Sequence, residues 1–311
     1  MTAPVEIHYQ EWGAGPPVLA LHGLGLESSS FTGLARGVAD LGLCMLAADL
    51  PGFGKTPAPD APLTPAVLAE PVVDLARRLE TKPLVMGMSL GARVALEAAL
   101  LAPELFRGVV LLSAPLPRRE YRWAHAGARL LSPELAMRIP VDWAWPWLKS
   151  LADRLEDELD GDARFDWFSR ASKRTIYYIS CPATRRAFVS AARELALDPA
   201  FGRESVWRRM ERLDVPAAFV WADQDRFIWG RAPALAAKRV PHALQIHVPC
   251  AGHFDNGPHF RCVEQGALEA VQRVESAAGG AAPGGTPGIV ACRVGAGESE
   301  AAAASSMATA G

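Results

Sequence analysis

The chain lacks any apolar run long enough to span a bilayer, which takes about 20 residues in a helix. Its first ten residues, Met1–Gln10, lack the basic and apolar blocks of a signal peptide. Its formal net charge of −2 provides no basic field, which argues against nucleic acid as a partner. The five cysteines (Cys44, Cys181, Cys250, Cys262 and Cys292) are odd in number and contain no C-x-x-C pair. No cluster of side chains has metal-ligand spacing. These absences lead us to expect a cytoplasmic protein with reduced thiols, no metal, no cofactor and no membrane span. Nothing in the sequence sets an oligomeric state.

Half of the 311 residues are hydrophobic, enough for one large core plus an insertion. Residues 1–114 alternate short apolar runs with helix-like stretches, the texture of a mostly parallel sheet flanked by helices. One junction stands out. The apolar run Pro83–Met86 leads into Gly87-Met88-Ser89-Leu90-Gly91, and a helix-like stretch follows over Ala92–Leu101. This is G-x-S-x-G between a strand and a helix. A serine on so tight a turn points its hydroxyl away from the sheet. Glycine on either side avoids a Cβ clash across the turn. The helix start aims N–H groups at the same place. A glycine-flanked serine can also be a plain helix cap, so the rest of the chain has to decide.

Two more apolar runs end in glycine-rich turns. Pro17–Leu21 is followed by His22-Gly23-Leu24-Gly25, and Cys44–Ala48 by Asp49-Leu50-Pro51-Gly52-Phe53-Gly54. Turns of this kind lie at the ligand-binding edge of a parallel sheet. Asp49 reads as structural, holding loop amides at a strand end. A serine nucleophile needs a base. Of seven histidines, His253 follows a late strand pattern (Leu244–Val248) directly and can reach the same edge. His8 reads as a surface residue and His22 as a buried hydrogen-bonding one. The base needs an acid to fix its tautomer. After the apolar run Ala217–Trp221, either Asp223 or Asp225 can serve, and we take Asp225.

With Ser89, Asp225 and His253 in that order, the chain resembles the α/β-hydrolase superfamily, in its cap-bearing, serine-nucleophile, esterase-like branch. The likeness runs from Val5 to about Ser276. It rests on H-G-x-G (His22–Gly25), D-x-P-G-x-G (Asp49–Gly54), the serine turn, Leu213–Pro216 before the acid strand, Ala222-x-x-Asp225 and Gly252-His253-Phe254. The spacing from Ala222 selects Asp225 over Asp223. The resemblance implies an oxyanion hole made by the backbone N–H groups of Leu24 and Leu90. It departs from the family at Ala222, where glycine is usual, and at Trp229, where a proline often follows the acid. Dehalogenases and epoxide hydrolases of this fold carry aspartate where this chain has Ser89, so those activities are not expected.

The resemblance also frames the organisation. Residues 1–114 are the first part of the hydrolase core, 115–205 a helical cap, 206–276 the second part of the core, and 277–311 a disordered alanine- and glycine-rich tail. The expected substrate is a small to medium apolar carboxylic ester, bound against Phe31, Met88, Trp143, Trp147 and Phe254. Two alternatives use the same scaffold. One is hydrolytic carbon–carbon cleavage or cofactor-free perhydrolase chemistry, with Arg122, Arg174 or Arg185 available for a substrate carboxylate. The other is a non-catalytic ligand receptor.

Overall fold

Strands Cys44–Ala48, Gly108–Leu112 and Ala217–Ala222 are buried along their whole length. Unbroken apolar runs of this kind belong to a parallel sheet covered on both faces. The computed structural model describes residues 5–118, 128–129, 132–138, 150, 182–253, 258–280 and 288–289. Its elements, in chain order, are β1 (Tyr9–Gly13), β2 (Pro17–Leu21), α1 (Thr32–Asp40), β3 (Cys44–Ala48), α2 (Pro65–Arg78), β4 (Leu84–Met88), α3 (Leu90–Leu101) and β5 (Gly108–Leu112). They continue with α4 (Pro133–Arg138), α5 (Pro182–Leu197), α6 (Val206–Arg209), β6 (Ala217–Ala222), α7 (Ala232–Arg239), β7 (Leu244–Val248), α8 (Pro258–Ala278) and β8 (Gly288–Ile289).

The strands form one eight-stranded sheet in the order β1-β3-β2-β4-β5-β6-β7-β8. Among the described strands, only the β1–β3 pair is antiparallel. Side chains alternate between faces along each strand, and the core divides accordingly. Leu19, Leu21, Val85 and Phe219 pack with Leu68 and Val72 of α2, Val94 of α3 and Ala236 of α7. Val18, Ala20, Met86 and Val220 pack with Leu34 and Val38 of α1 and with Ala267, Ala270 and Val271 of α8. Because β5 pairs in parallel with β6, the chain crosses over between them. Helices α4 and α5 lie in this crossover, the segment read from sequence as a cap.

A buried ion cluster ties the crossover to the core. Arg93, on α3 and 1% exposed, donates from Nε and Nη2 to Asp198 just beyond α5, at 3.0 and 2.8 Å. Its Nη2 also lies 2.8 Å from Glu97, one turn along α3. Arg209 of α6 donates to Glu97 from Nη1 at 2.6 Å and also from Nη2. Burial raises the Glu97 pKa, but Arg209 and Arg93 outweigh it and hold the carboxyl below its usual range.

The structure departs from the sequence reading in three places. Gly288–Ile289 pairs with Ile246–His247 of β7, so part of the stretch read as a disordered tail is a strand. Residues 290–311 lie outside the described ones. Cys250 and Cys262 are disulfide-bonded rather than reduced, whereas Cys44 is a free, buried thiol. Both bonded cysteines sit on segments that pack into the same core cluster, one after β7 and one on α8. His8 is not a free surface side chain. The antiparallel β1–β3 edge brings its Nδ1 within 2.9 Å of Asp49.

Candidate active site

Ser89 sits between β4 and α3 with φ 52° and ψ −118°. Positive φ is strained for a residue with a Cβ, and such strain gathers at functional turns. The neighbours make the turn possible. A Cβ on Gly87 would strike the carbonyl of Gly91, and one on Gly91 would strike the carbonyl of Leu21. The Ser89 N–H donates to the carbonyl of Leu112 at 2.9 Å, and its own carbonyl accepts from the Arg93 N–H at 3.1 Å. The serine is thus fixed to β5 on one side and starts α3 on the other.

Three side chains far apart in sequence meet here. Ser89 Oγ is 2.9 Å from His253 Nε2. His253 Nδ1 is 2.6 Å from Asp225 Oδ2. The other Asp225 oxygen accepts the N–H groups of Phe227 and Ile228, at 2.8 and 2.9 Å. With all its carboxylate contacts accepting, Asp225 takes the Nδ1–H of the imidazole and leaves Nε2 free to accept the serine proton. The imidazole is 9% exposed and the carboxylate 2%. Asp223, the other candidate, lies 2.8 Å from Nδ1 of a different histidine, His247. The two aspartates after β6 are therefore separated by partner as well as by spacing.

The glycine turn after β2 lies against Ser89. A Cβ on Gly23 would stand 3.5 Å from the carbonyl of Met88 and from the Cβ of Ser89, and Leu24 is the next residue in the chain. His22 braces this turn from below. It is fully buried. Its Nε2 accepts the Leu50 N–H at 2.9 Å, and Nδ1–H donates to the carbonyl of Gly23 at 2.8 Å. Burial lowers its pKa to about 4, so the imidazole is neutral. Asp49, one strand over, accepts from the Ser28 and Lys55 N–H groups at 2.6 and 2.9 Å. Burial pushes its pKa up, but these amides and His8 outweigh burial and hold the carboxyl below its usual range.

The other expected site residues are scattered. Met88 is half-buried directly beside Ser89. Phe31, expected at the cleft, is 3% exposed and belongs to the core cluster under α1. It closes a short turn that folds its ring inward. Trp143, Trp147 and Phe254 lie outside the described residues, as do Arg122 and Arg174. Arg185 is 3% exposed, not a solvated surface side chain. The sequence reading missed Phe227, whose ring centroid is 5.4 Å from that of His253. Its only signal was its place two residues after the selected aspartate. Among the described residues, no three His, Cys, Asp or Glu side chains group so as to hold a metal ion. Among them, too, no helix is long and apolar enough to cross a membrane.

A family model described as the alpha/beta hydrolase fold matches residues 16–260. The chain belongs to that family. It is 30% identical to a pimeloyl-(acyl-carrier protein) methyl ester esterase of Chromobacterium violaceum, over 80% of this chain and 91% of the relative. The enzyme of the same name from Shewanella woodyi is 25% identical over 78% of this chain and 85% of its own length. Among solved structures, a thermophilic esterase from Thermogutta terrifontis superposes with a TM-score of 0.66 at 20% identity, covering 87% of this chain and 94% of that one. With these relatives, the chain is a carboxylesterase-like hydrolase of this fold.

Proposed function

We propose that the protein hydrolyses carboxylic esters through an acyl-enzyme on Ser89. The observation that carries this reading is the continuous Ser89–His253–Asp225 chain, at 2.9 and 2.6 Å, on the C-terminal edge of the sheet. His253 Nε2 takes the serine proton as Oγ attacks the ester carbonyl carbon. The carbonyl oxygen becomes an oxyanion, held by the N–H groups of Leu24 and Leu90. Each such donor contributes about 3–4 kcal/mol to lowering the barrier. The carbon–oxygen bond to the alcohol then breaks, and His253 returns the proton to the departing oxygen. Water repeats the sequence on the acyl-enzyme, releasing the acid and restoring Ser89. Asp225 holds the imidazole in the required tautomer and balances its charge while it carries the extra proton.

The substrate is a small to medium ester with an apolar acyl portion. Two relatives are named for cleaving a methyl ester of a carrier-bound acyl chain, so methyl esters of medium-length acids are the first to try. A fluorophosphonate probe labels Ser89 in the wild type and fails to label Ser89→Ala. The same variant loses about 10⁴-fold or more in kcat on p-nitrophenyl esters. Most activity surviving in folded Ser89→Ala protein would refute the mechanism. Labelling without turnover of any ester, but with cleavage of a dienoate diketone, would move the reading to carbon–carbon hydrolysis.

A further inference from the structure

Phe227 is 45% exposed, although it follows the aspartate of the site by only two residues. A single exposed phenylalanine is ordinary on a protein surface. This one is held in place by the site itself. Its N–H donates to Asp225 Oδ1 at 2.8 Å. The next residue, Ile228, donates to the same oxygen at 2.9 Å and turns its side chain into the core, at 8% exposure. One residue therefore anchors the loop inward while its neighbour is left outward. The Phe227 ring lies against the His253 imidazole, with centroids 5.4 Å apart and planes tilted by 34°. The centroid separation is within the range at which aromatic rings are in contact.

The placement has a chemical consequence. His253 Nε2 is the atom that protonates the departing alcohol, so the alcohol oxygen has to come within about 3 Å of it. The carbon chain on that oxygen then runs past whatever flanks the imidazole. Among the described residues, that is an exposed phenyl ring. We infer that Phe227 is the specificity-determining residue for the alcohol half of the ester, forming an apolar wall beside His253 against which the leaving group packs. This inference rests on the triad reading above. It goes beyond that reading by dividing the site, with the alcohol side flanked by Phe227 and the acyl side built elsewhere.

The test compares wild type, Phe227→Ala and Phe227→Leu on two ester series. In the first, the acyl group is fixed and the alcohol grows from methyl to n-butyl to benzyl. In the second, the alcohol is methanol and the acyl chain grows. The quantity read is kcat/KM, which reports every step up to alcohol departure. Phe227→Ala lowers the butyl-to-methyl ratio of kcat/KM about tenfold, the effect of re-exposing a chain of a few methylenes. Phe227→Leu recovers part of that loss. The acyl-length ratio stays within about twofold in both variants. An unchanged alcohol ratio in Phe227→Ala, or an acyl ratio that moves equally, overturns the inference. The fluorophosphonate experiment separates the two failures. If wild-type Ser89 is not labelled, the triad reading and this inference fall together. If it is labelled and the alcohol ratio does not move, only this inference falls.

Discussion

Acidification from pH 6.5 to 4 should weaken the fold through one side chain, His22. Its imidazole is fully buried, bonded to the Leu50 N–H and the Gly23 carbonyl, and neutral because burial lowers its pKa from 6.5 to about 4. Asp49 and Glu27 oppose this shift electrostatically and do not overcome it. In the unfolded chain the same group takes up a proton near pH 6.5. The unfolded state thus binds more protons than the folded one between the two values, so stability falls as pH falls through that window. The contribution is complete above pH 6.5 and is lost by about pH 4. At about 1.4 kcal/mol per pH unit, it amounts to roughly 3 kcal/mol. Asp49 and Glu97, both held below the usual carboxylate range, act in the other part of the scale. Their contributions are complete above about pH 4.5 and fade as pH falls below it. Urea unfolding followed by tryptophan fluorescence at pH 7, 6, 5 and 4.5 measures the effect. His22→Gln keeps a donor and an acceptor but cannot titrate, so the gap between it and wild type narrows as pH falls. A gap that stays constant over this range would refute the reasoning, as would an NMR titration of His22 in the folded protein centred near 6.5.

Two further substitutions test the electrostatic layout. Arg93→Met leaves Asp198 without its partner and Glu97 with only one cation, both in the interior, and should destabilise by about 3–5 kcal/mol in chemical unfolding. Adding Asp198→Leu to it should recover part of that loss. Asp225→Asn should lower kcat by about 10⁴-fold by favouring the wrong imidazole tautomer. Asp223→Asn should leave kcat nearly unchanged, because its partner is His247. Equal losses from the two aspartates in an esterase assay would contradict the assignment.

The sheet was readable because its central strands are unbroken apolar runs, and the serine turn because steric crowding demands glycine at both Gly87 and Gly91. Asp225 and His253 were singled out because each comes within a few residues of the end of a strand of that sheet, and the structure brings both side chains to Ser89. Features made by distant contacts were not. Arg93 and Glu97, four apart on α3, look like an exposed helix pair. They are buried because Asp198 and Arg209 arrive from 105 and 112 residues away. His8 looked solvated because only the antiparallel β1–β3 edge brings it to Asp49. Phe31 looked available because sequence does not say that its ring turns inward. The eighth strand was hidden by a composition poor in strand formers, and two residues pairing along β7 suffice to make it.

The guanidinium at position 93 also limits how this scaffold can be rebuilt. A chimera that replaces the segment between β5 and β6 with that of another family member, and so loses the acid at position 198, would leave the buried Arg93 guanidinium with Glu97 alone, a carboxylate it already shares with Arg209. Grafts that retain an acid at that position, or swap the arginine for a neutral chain at the same time, are the ones expected to yield folded enzyme.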